Sequence, residues 1–156
     1  MTDNIKYELS APVTGKCIPV SQADNSELRN KTIGDGVAIY PNSGAIHAPC
    51  DGRVLDISPA NNIITLSSED GLDLVLQLGI ATEELGGQGY RILVQKGHRV
   101  RRGQKIATMN IDMLESEGFD ITVALLISSM QKINTVKAIR GDVNGSNDIV
   151  LKYSKA

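Results

Sequence analysis

The stretch that most constrains the fold is residues 62–82, where two runs of Ile, Leu, Val and Thr flank Asp70-Gly71. Asp-Gly supplies the positive φ angles of a type I′ turn, so the two runs are predicted to form an antiparallel hairpin. A two-residue loop places Ile64 opposite Gln77. Strand alternation then puts Asn62 on the face of Gln77, roughly 7 Å away as a diagonal cross-strand neighbour. Two amide side chains on an otherwise apolar patch indicate a site.

Composition limits the classes of function that this chain can have. At 156 residues it suits one domain, and 16 basic against 18 acidic residues leave no broad cationic face for nucleic acid or anionic lipid. Aromatic residues make up 3% of the chain and Trp is absent, so stacking platforms for bases are not expected. The core is predicted to consist of Ile, Val and Leu.

The ends and the cysteines favour a cytoplasmic protein. No run approaches the roughly 18 apolar residues of a membrane span, and the first residues lack the layout of a secretory signal. We expect a flexible lead over residues 1–6 and a single domain over residues 7–156. Cys17 and Cys50 are isolated and are interpreted as reduced thiols, with a disulfide between them as the alternative.

Short strands punctuated by turn residues fill most of the chain. Ala11-Pro12-x-x-Gly15 recurs as Ala48-Pro49-x-x-Gly52, and each copy leads into a strand. A helix is predicted at 112–118, a buried strand at 121–127 and a helical turn at 128–133, while the glycine-heavy segment 83–89 is interpreted as a connection. This pattern predicts an all-β fold: a compact antiparallel β-sandwich or barrel with one or two short helices.

Several motifs in order resemble one known family. They are Ala11-Pro12-x-x-Gly15, Gly34-Asp35-Gly36-Val37-Ala38-Ile39-x-Pro41, Ala48-Pro49-x-Asp51-Gly52, Gly79-Ile80-x-Thr82-x-Glu84-Leu85-x-Gly87-x-Gly89-Tyr90, Gly97-x-x-Val100, Gly103 and Ile127-Ser128. Together they resemble the glucose-type enzyme IIA domain of the bacterial phosphoenolpyruvate-dependent sugar phosphotransferase system. The resemblance covers about residues 7–152 and implies a β-sandwich that takes a phosphoryl group from the phosphocarrier HPr and passes it to a transporter IIB domain.

The resemblance also implies where the family's chemistry belongs. The phosphoryl-accepting histidine of the family corresponds to Gln77, and its supporting histidine to Asn62. The family's neighbouring Thr and Asp correspond to Ala60 and Ala81. A histidine nitrogen with a free lone pair attacks phosphorus, whereas an amide nitrogen shares its lone pair with the carbonyl. The site is therefore predicted to be degenerate and without catalytic residues, and no cofactor or metal is expected.

Four apolar residues beside these amides are candidates for binding a partner: Ile64, Val75, Leu78 and Ile80. If their face is the family's docking surface, they contact HPr, a IIB domain or a regulated protein; the alternative is that they form core. His47 and His98, the only histidines, are interpreted as structural or surface side chains. The basic segment 96–102 is interpreted as a solvated turn, with contact to an acidic partner as the alternative.

The leading hypothesis is a pseudoenzyme of sugar transport that acts as a regulatory or partner-binding homologue. A working phosphocarrier with an unconventional acceptor is the main alternative. A biotinyl- or lipoyl-type carrier, suggested by the spacing of Gly and Val at 94–107, lacks a hairpin lysine. A zinc peptidase of the lysostaphin type lacks its ligand histidines here.

Overall fold

The structure, a computed structural model, describes residues 7–156; the predicted lead at 1–6 lies outside them. The strands are β1 (Tyr7–Ser10), β2 (Gly15–Pro19), β3 (Asp35–Pro41), β4 (Ala45–His47), β5 (Gly52–Ile57), β6 (Ile63–Ser68), β7 (Asp73–Ile80), β8 (Tyr90–Ile92), β9 (Arg99–Val100), β10 (Lys105–Met109), β11 (Asp120–Ile127), β12 (Ile133–Ala138), β13 (Gly141–Val143) and β14 (Ile149–Lys155). The α-helices are α1 (Ser26–Arg29) and α2 (Ile111–Ser116), and single 3₁₀ turns cover Val20–Gln22, Glu83–Leu85 and Met130–Lys132.

Three antiparallel sheets enclose one core. The large sheet has the order β13-β2-β3-β11-β7-β6-β5-β9, and two three-stranded sheets have the orders β1-β14-β12 and β4-β10-β8. Buried side chains from all three meet in one cluster, for example Leu76 on β7, Leu151 on β14 and Ile106 on β10. The predicted all-β antiparallel sandwich is confirmed.

The repeated Ala-Pro-x-x-Gly motif has a steric cause. Gly15 and Gly52 begin β2 and β5, which lie toward opposite edges of the large sheet. A Cβ atom on Gly15 would lie 2.1 Å from the Tyr40 carbonyl oxygen, and one on Gly52 would lie 2.0 Å from that of Ser67. Neither approach is sterically possible, so each copy needs glycine where the strand meets its neighbour.

The central hairpin forms as predicted between β6 and β7, but its predicted register is wrong by one residue. Ile63 lies opposite Gln77, and Ile64 opposite Leu76. The loop contains three residues rather than two, because Ser68 N–H donates to the Leu72 carbonyl at 2.8 Å. Only Gly71 of the loop has a positive φ, +95°, whereas a type I′ turn needs two such residues.

Tertiary contacts hold Asp70 in this longer loop. Its carboxylate accepts hydrogen bonds from Ser68 Oγ and, at 2.6 Å, from Tyr153 Oη on β14, and it lies 3.6 Å from Lys155 Nζ. Partial burial raises the pKa of Asp70, but the two hydrogen bonds and the lysine charge outweigh burial and leave the pKa below its ordinary value. The loop is thereby fixed to the opposite sheet.

This arrangement predicts a stability that depends on acid pH. Since the pKa of Asp70 is lower in the folded state, its carboxylate stabilises the fold above the ordinary value of 3.8 and ceases to do so as the pH falls through the folded-state value. We expect Asp70→Asn to melt below the native protein at neutral pH, and the gap to narrow below about pH 4 in thermal unfolding followed by circular dichroism. Asp73→Asn, on the same hairpin but without these contacts, is the control; a gap that is constant with pH would contradict the prediction.

The remaining elements agree with the sequence in part. The predicted helix at 112–118 appears as α2, capped by Asn110, and the predicted turn at 128–133 contains the 3₁₀ turn. The buried strand at 121–127 is β11, between β3 and β7. The sequence did not predict α1. No helix among the described residues is long and apolar enough to cross a membrane.

The segment 20–29, which includes α1, covers part of the outer face of the large sheet. Its buried side chains are Val20, Ala23 and Leu28, and they pack against Ala38, Ala124 and Leu126 of the sheet. Asn25 caps α1 by accepting a hydrogen bond from the Leu28 N–H at 3.0 Å. Val75 and Ile80, both half-buried, pack against the edge of this satellite cluster.

Candidate functional site

The register of the hairpin divides the four predicted partner-binding residues between two faces. Ile64 and Leu78 are both 0% exposed and belong to the core. Their predicted contact with a partner is wrong, because the one-residue shift turns both side chains inward with Leu76. Val75 and Ile80 lie on the outer face, partly buried against the satellite cluster. They remain candidates.

Asn62 lies immediately before β6 and is 1% exposed. Its carbonyl accepts the Leu78 N–H at 2.7 Å, so the backbone continues the ladder to β7. Its side-chain Oδ1 accepts a hydrogen bond from Ser58 Oγ at 2.9 Å, and its Nδ2 donates to a carboxylate oxygen of Glu83. The amide is therefore held at both ends and is not free to change partner.

Gln77 lies opposite Ile63, on the next rung of the ladder from Asn62. The two residues are thus neighbours along the hairpin, as the sequence predicts. The predicted common face is wrong, since Asn62 is buried and Gln77 is half-buried on the outer face. The Gln77 amide makes only a long contact, 3.5 Å from Nε2 to the Gly79 carbonyl oxygen. Its polar end remains available to a partner.

Left-handed backbone marks both sides of this site. Asn61, two residues before β6, has a φ of +61°, and Ala81, directly after β7, has a φ of +56°. Asn tolerates this conformation, whereas for Ala it costs about 1 kcal/mol. Ala60 lies beside Asn61 and is half-buried, while Ala81 is exposed. The strain at Ala81 is of the kind that binding and catalytic sites retain.

Hydrogen bonds among Thr82, Tyr90 and Leu78 hold the chain in place after β7. Thr82 is 0% exposed, and its hydroxyl lies 2.8 Å from Tyr90 Oη, which donates to the Leu78 carbonyl. Burial raises the pKa of Tyr90, so its proton stays in this contact. Thr82 immediately precedes the 3₁₀ turn Glu83–Leu85. In this turn the Glu83 carboxylate accepts the hydrogen bond from the Asn62 side chain. Sequence reasoning missed Glu83, since it treated 83–89 as a simple connection.

A groove of about 290 Å³ opens on the outer face beside Ile80. Its apolar floor includes Ile18, Leu28 and Ala38, and its rim carries Asp24, Asp120 and Lys16. Tyr40, an exposed aromatic residue, also lines it and donates a hydrogen bond of 2.6 Å from Oη to Glu115 on α2. The hydrogen bond to Glu115 raises the pKa of Tyr40. An apolar concavity with a polar rim is typical of a protein-docking surface.

Both histidines lie on elements other than the central hairpin. His47 is on β4, half-buried, with Nδ1 3.1 Å from the Gly103 carbonyl oxygen. His98 is in an exposed turn, where Nδ1 accepts from the Gln95 N–H at 3.2 Å. Within residues 7–156, no group of three or more His, Cys, Asp or Glu is placed to hold a metal ion.

The cysteines and the basic segment take up positions away from the hairpin amides. Cys17 and Cys50 are free and buried, and burial raises the pKa of each thiol to about 12. The residues of 96–102, apart from Val100, are exposed at the β9 edge of the large sheet. There Arg99 lies 3.8 Å from Glu69 and the Arg53 guanidinium donates to the Gly97 carbonyl at 3.0 Å.

Comparison with known proteins now defines the class. A sequence model of the phosphoenolpyruvate-dependent sugar phosphotransferase system, EIIA 1, matches residues 7–133, and the chain belongs to this family. Within the family, its similarities are to glucose-type EIIA domains. The PTS system glucose-specific EIIA component of Haemophilus influenzae is 29% identical over 152 residues, which are 97% of this chain and 92% of that protein.

Two further similarities agree. A PTS system glucoside-specific EIICBA component of Staphylococcus carnosus is 30% identical over 141 residues, 90% of this chain but 20% of that larger protein. The solved structure of glucose permease IIA from Mycoplasma capricolum superposes with a TM-score of 0.85 at 24% identity, covering 94% of each chain. This last likeness shows the shared fold.

Proposed function

We propose that the protein is a glucose-type enzyme IIA-like protein that carries no phosphoryl group and acts as a regulatory or partner-binding homologue in sugar transport. The observation that carries the proposal is the pair of amides, Asn62 and Gln77, at the positions that the family resemblance assigns to its two histidines. Neither amide offers a nucleophilic nitrogen. The protein is thus a pseudoenzyme of its family.

The outer face of the large sheet is the proposed partner-binding surface. There the Gln77 amide makes only one long hydrogen bond, and Val75 and Ile80 present apolar surface next to the groove. Interface energy concentrates in a few central residues that become desolvated, and a neutral amide is cheaper to bury there than a charge. HPr, a transporter IIB domain or a protein regulated by sugar transport are the proposed partners.

The proposal also includes the domain organisation of the protein and its location in the cell. One enzyme IIA-like domain over residues 7–156 is supported by the core cluster, whose members run from Leu9 to Tyr153. A bacterial, cytoplasmic protein fits the curated relatives. Nucleic acid is not among the proposed partners, because the acidic and basic residues are nearly balanced.

Titration of the labelled protein with HPr and with IIB domains tests the partner surface. We expect amide shifts in NMR spectra to cluster on residues 62–81 and on the groove, and Val75→Asp to weaken binding by at least tenfold, because a buried unpaired carboxylate opposes association. Val136→Asp is the matched control, since Val136 is also half-buried but lies on β12 of another sheet.

Both variants are compared only where their spectra show the native fold. Shifts centred on another surface, or an equal loss of binding in the two variants, would contradict the proposed face. In the alternative, His47 or His98 accepts a phosphoryl group, and incubation with phosphoenolpyruvate, enzyme I and HPr then raises the mass of the protein by one phosphoryl group.

A further inference from the structure

The strongest unassigned feature is a carboxylate in the degenerate site. Glu83 accepts a hydrogen bond from Asn62 Nδ2, and the Asn62 oxygen is already engaged by Ser58. The amide therefore presents its N–H₂ group to Glu83. Glu83 itself is exposed, so its charge lies at the surface where a partner would dock.

The position of this carboxylate is fixed by the fold. Thr82, buried and bonded to Tyr90, sets the start of the 3₁₀ turn, and Gly86 closes the turn with a φ of +61°. A glutamate on such a scaffold loses less freedom on binding than an ordinary surface glutamate. Its neighbour Glu84 is also exposed, but none of the hydrogen bonds found within residues 7–156 involves its side chain.

The charge of Glu83 is not neutralised by the protein. Among the ion pairs of the described residues, none includes Glu83. Asp120, on the groove rim, adds a further negative charge on the outer face of β11. On that rim the two carboxylates of Asp24 and Asp120 outnumber the single ammonium of Lys16. Together with Glu83 they make this face anionic, although the two residues that correspond to the family's histidines are themselves uncharged.

We propose that the Glu83 carboxylate gives this site a negative charge that selects the unphosphorylated form of a partner presenting cationic side chains and rejects its phosphorylated form. This inference rests on the proposed function, because it names which state of the partner the face binds. A phosphoryl group brings about two negative charges toward the Glu83 carboxylate. Opposite charges instead attract a cationic partner and speed its association.

Affinities for HPr in its two states test the selection. HPr is the probe, used unphosphorylated or kept phosphorylated by enzyme I and phosphoenolpyruvate. We expect the native protein to bind unphosphorylated HPr about tenfold more tightly at low salt, and the preference to shrink as salt is raised. Glu83→Gln should remove most of the preference, while Glu84→Gln, the matched control, should keep it. Equal affinity of the native protein for both states, or equal effects of the two substitutions, would overturn the inference.

A second measurement separates this inference from the proposed function. If HPr binds in neither state, the selection of unphosphorylated HPr is overturned. The effect of the Glu83 charge on the site is then measured through the pKa of a histidine introduced by Asn62→His. NMR titration should give the introduced imidazole a pKa about one unit higher than in Asn62→His with Glu83→Gln, because a nearby carboxylate favours the charged imidazole. An identical pKa in the two folded variants would show that Glu83 exerts no field on the site.

Discussion

Incubation with phosphoenolpyruvate, enzyme I and HPr is expected to leave the mass of this protein unchanged. By the family resemblance, the acceptor position corresponds to Gln77, whose amide nitrogen is not a nucleophile, and the supporting position to Asn62, whose amide is fixed by Ser58 and Glu83. The expected stoichiometry of phosphorylation is therefore close to zero, against one for an active member of the family under the same conditions.

Intact-mass measurement at neutral pH gives the result directly, since phosphohistidine is lost in acid. The active relative in the same tube is the control for the donor system. A gain of one phosphoryl group would refute the prediction. Its disappearance in His47→Ala or in His98→Ala would then identify the acceptor and establish the working phosphocarrier instead.

Restoring the chemistry should require more than the two histidines. Gln77→His with Asn62→His supplies the imidazoles, but the introduced side chain at 62 still faces the Glu83 carboxylate and lacks the family's hydroxyl and carboxylate neighbours. We expect slow phosphorylation in this double variant, because groups that act as a unit are strongly non-additive. Adding Ala60→Thr and Ala81→Asp should raise the rate by roughly 10²–10⁴-fold.

Ala81→Asp has a second expected benefit, because Asp adopts the left-handed backbone at this position more readily than Ala. The rate of mass gain after mixing with phosphorylated HPr measures each step of the series. A double variant that already reacts as fast as an active relative would show that the outer residues matter little.

The sequence predicted the fold class and the hairpin because both are specified by residues that lie close together in the chain. Asp70-Gly71 marks a turn wherever it occurs between two β-rich runs, and repeated glycines mark close strands. The loop length was not predictable in the same way. It depends on the φ angle of Asp70, which contacts from Tyr153 and Lys155 determine from more than 80 residues away in the chain.

The sequence predicted that Asn62 and Gln77 are neighbours on the hairpin, but not which side chains surround them. Ile64 and Leu78 face the core because the observed register differs by one residue from the predicted one. A shift of one residue exchanges the two faces of a strand. The sequence did not predict the contact of Glu83 with Asn62, because Glu83 lies in a 3₁₀ turn that follows the tertiary contact between Thr82 and Tyr90. The helix α1 has only four residues, too few for a helical period to appear in the sequence.

The short outermost strands of the large sheet have a consequence for self-association. A long open edge offers unpaired N–H and C=O groups to another copy of the chain and so promotes aggregation. Here the edges are β9, with two residues, and β13, with three. β9 lies within the exposed arginines and lysine of 96–102, which repel the same segment of a second molecule. Pairing with a second copy along the β9 edge is therefore disfavoured both by the length of the strand and by the charge around it.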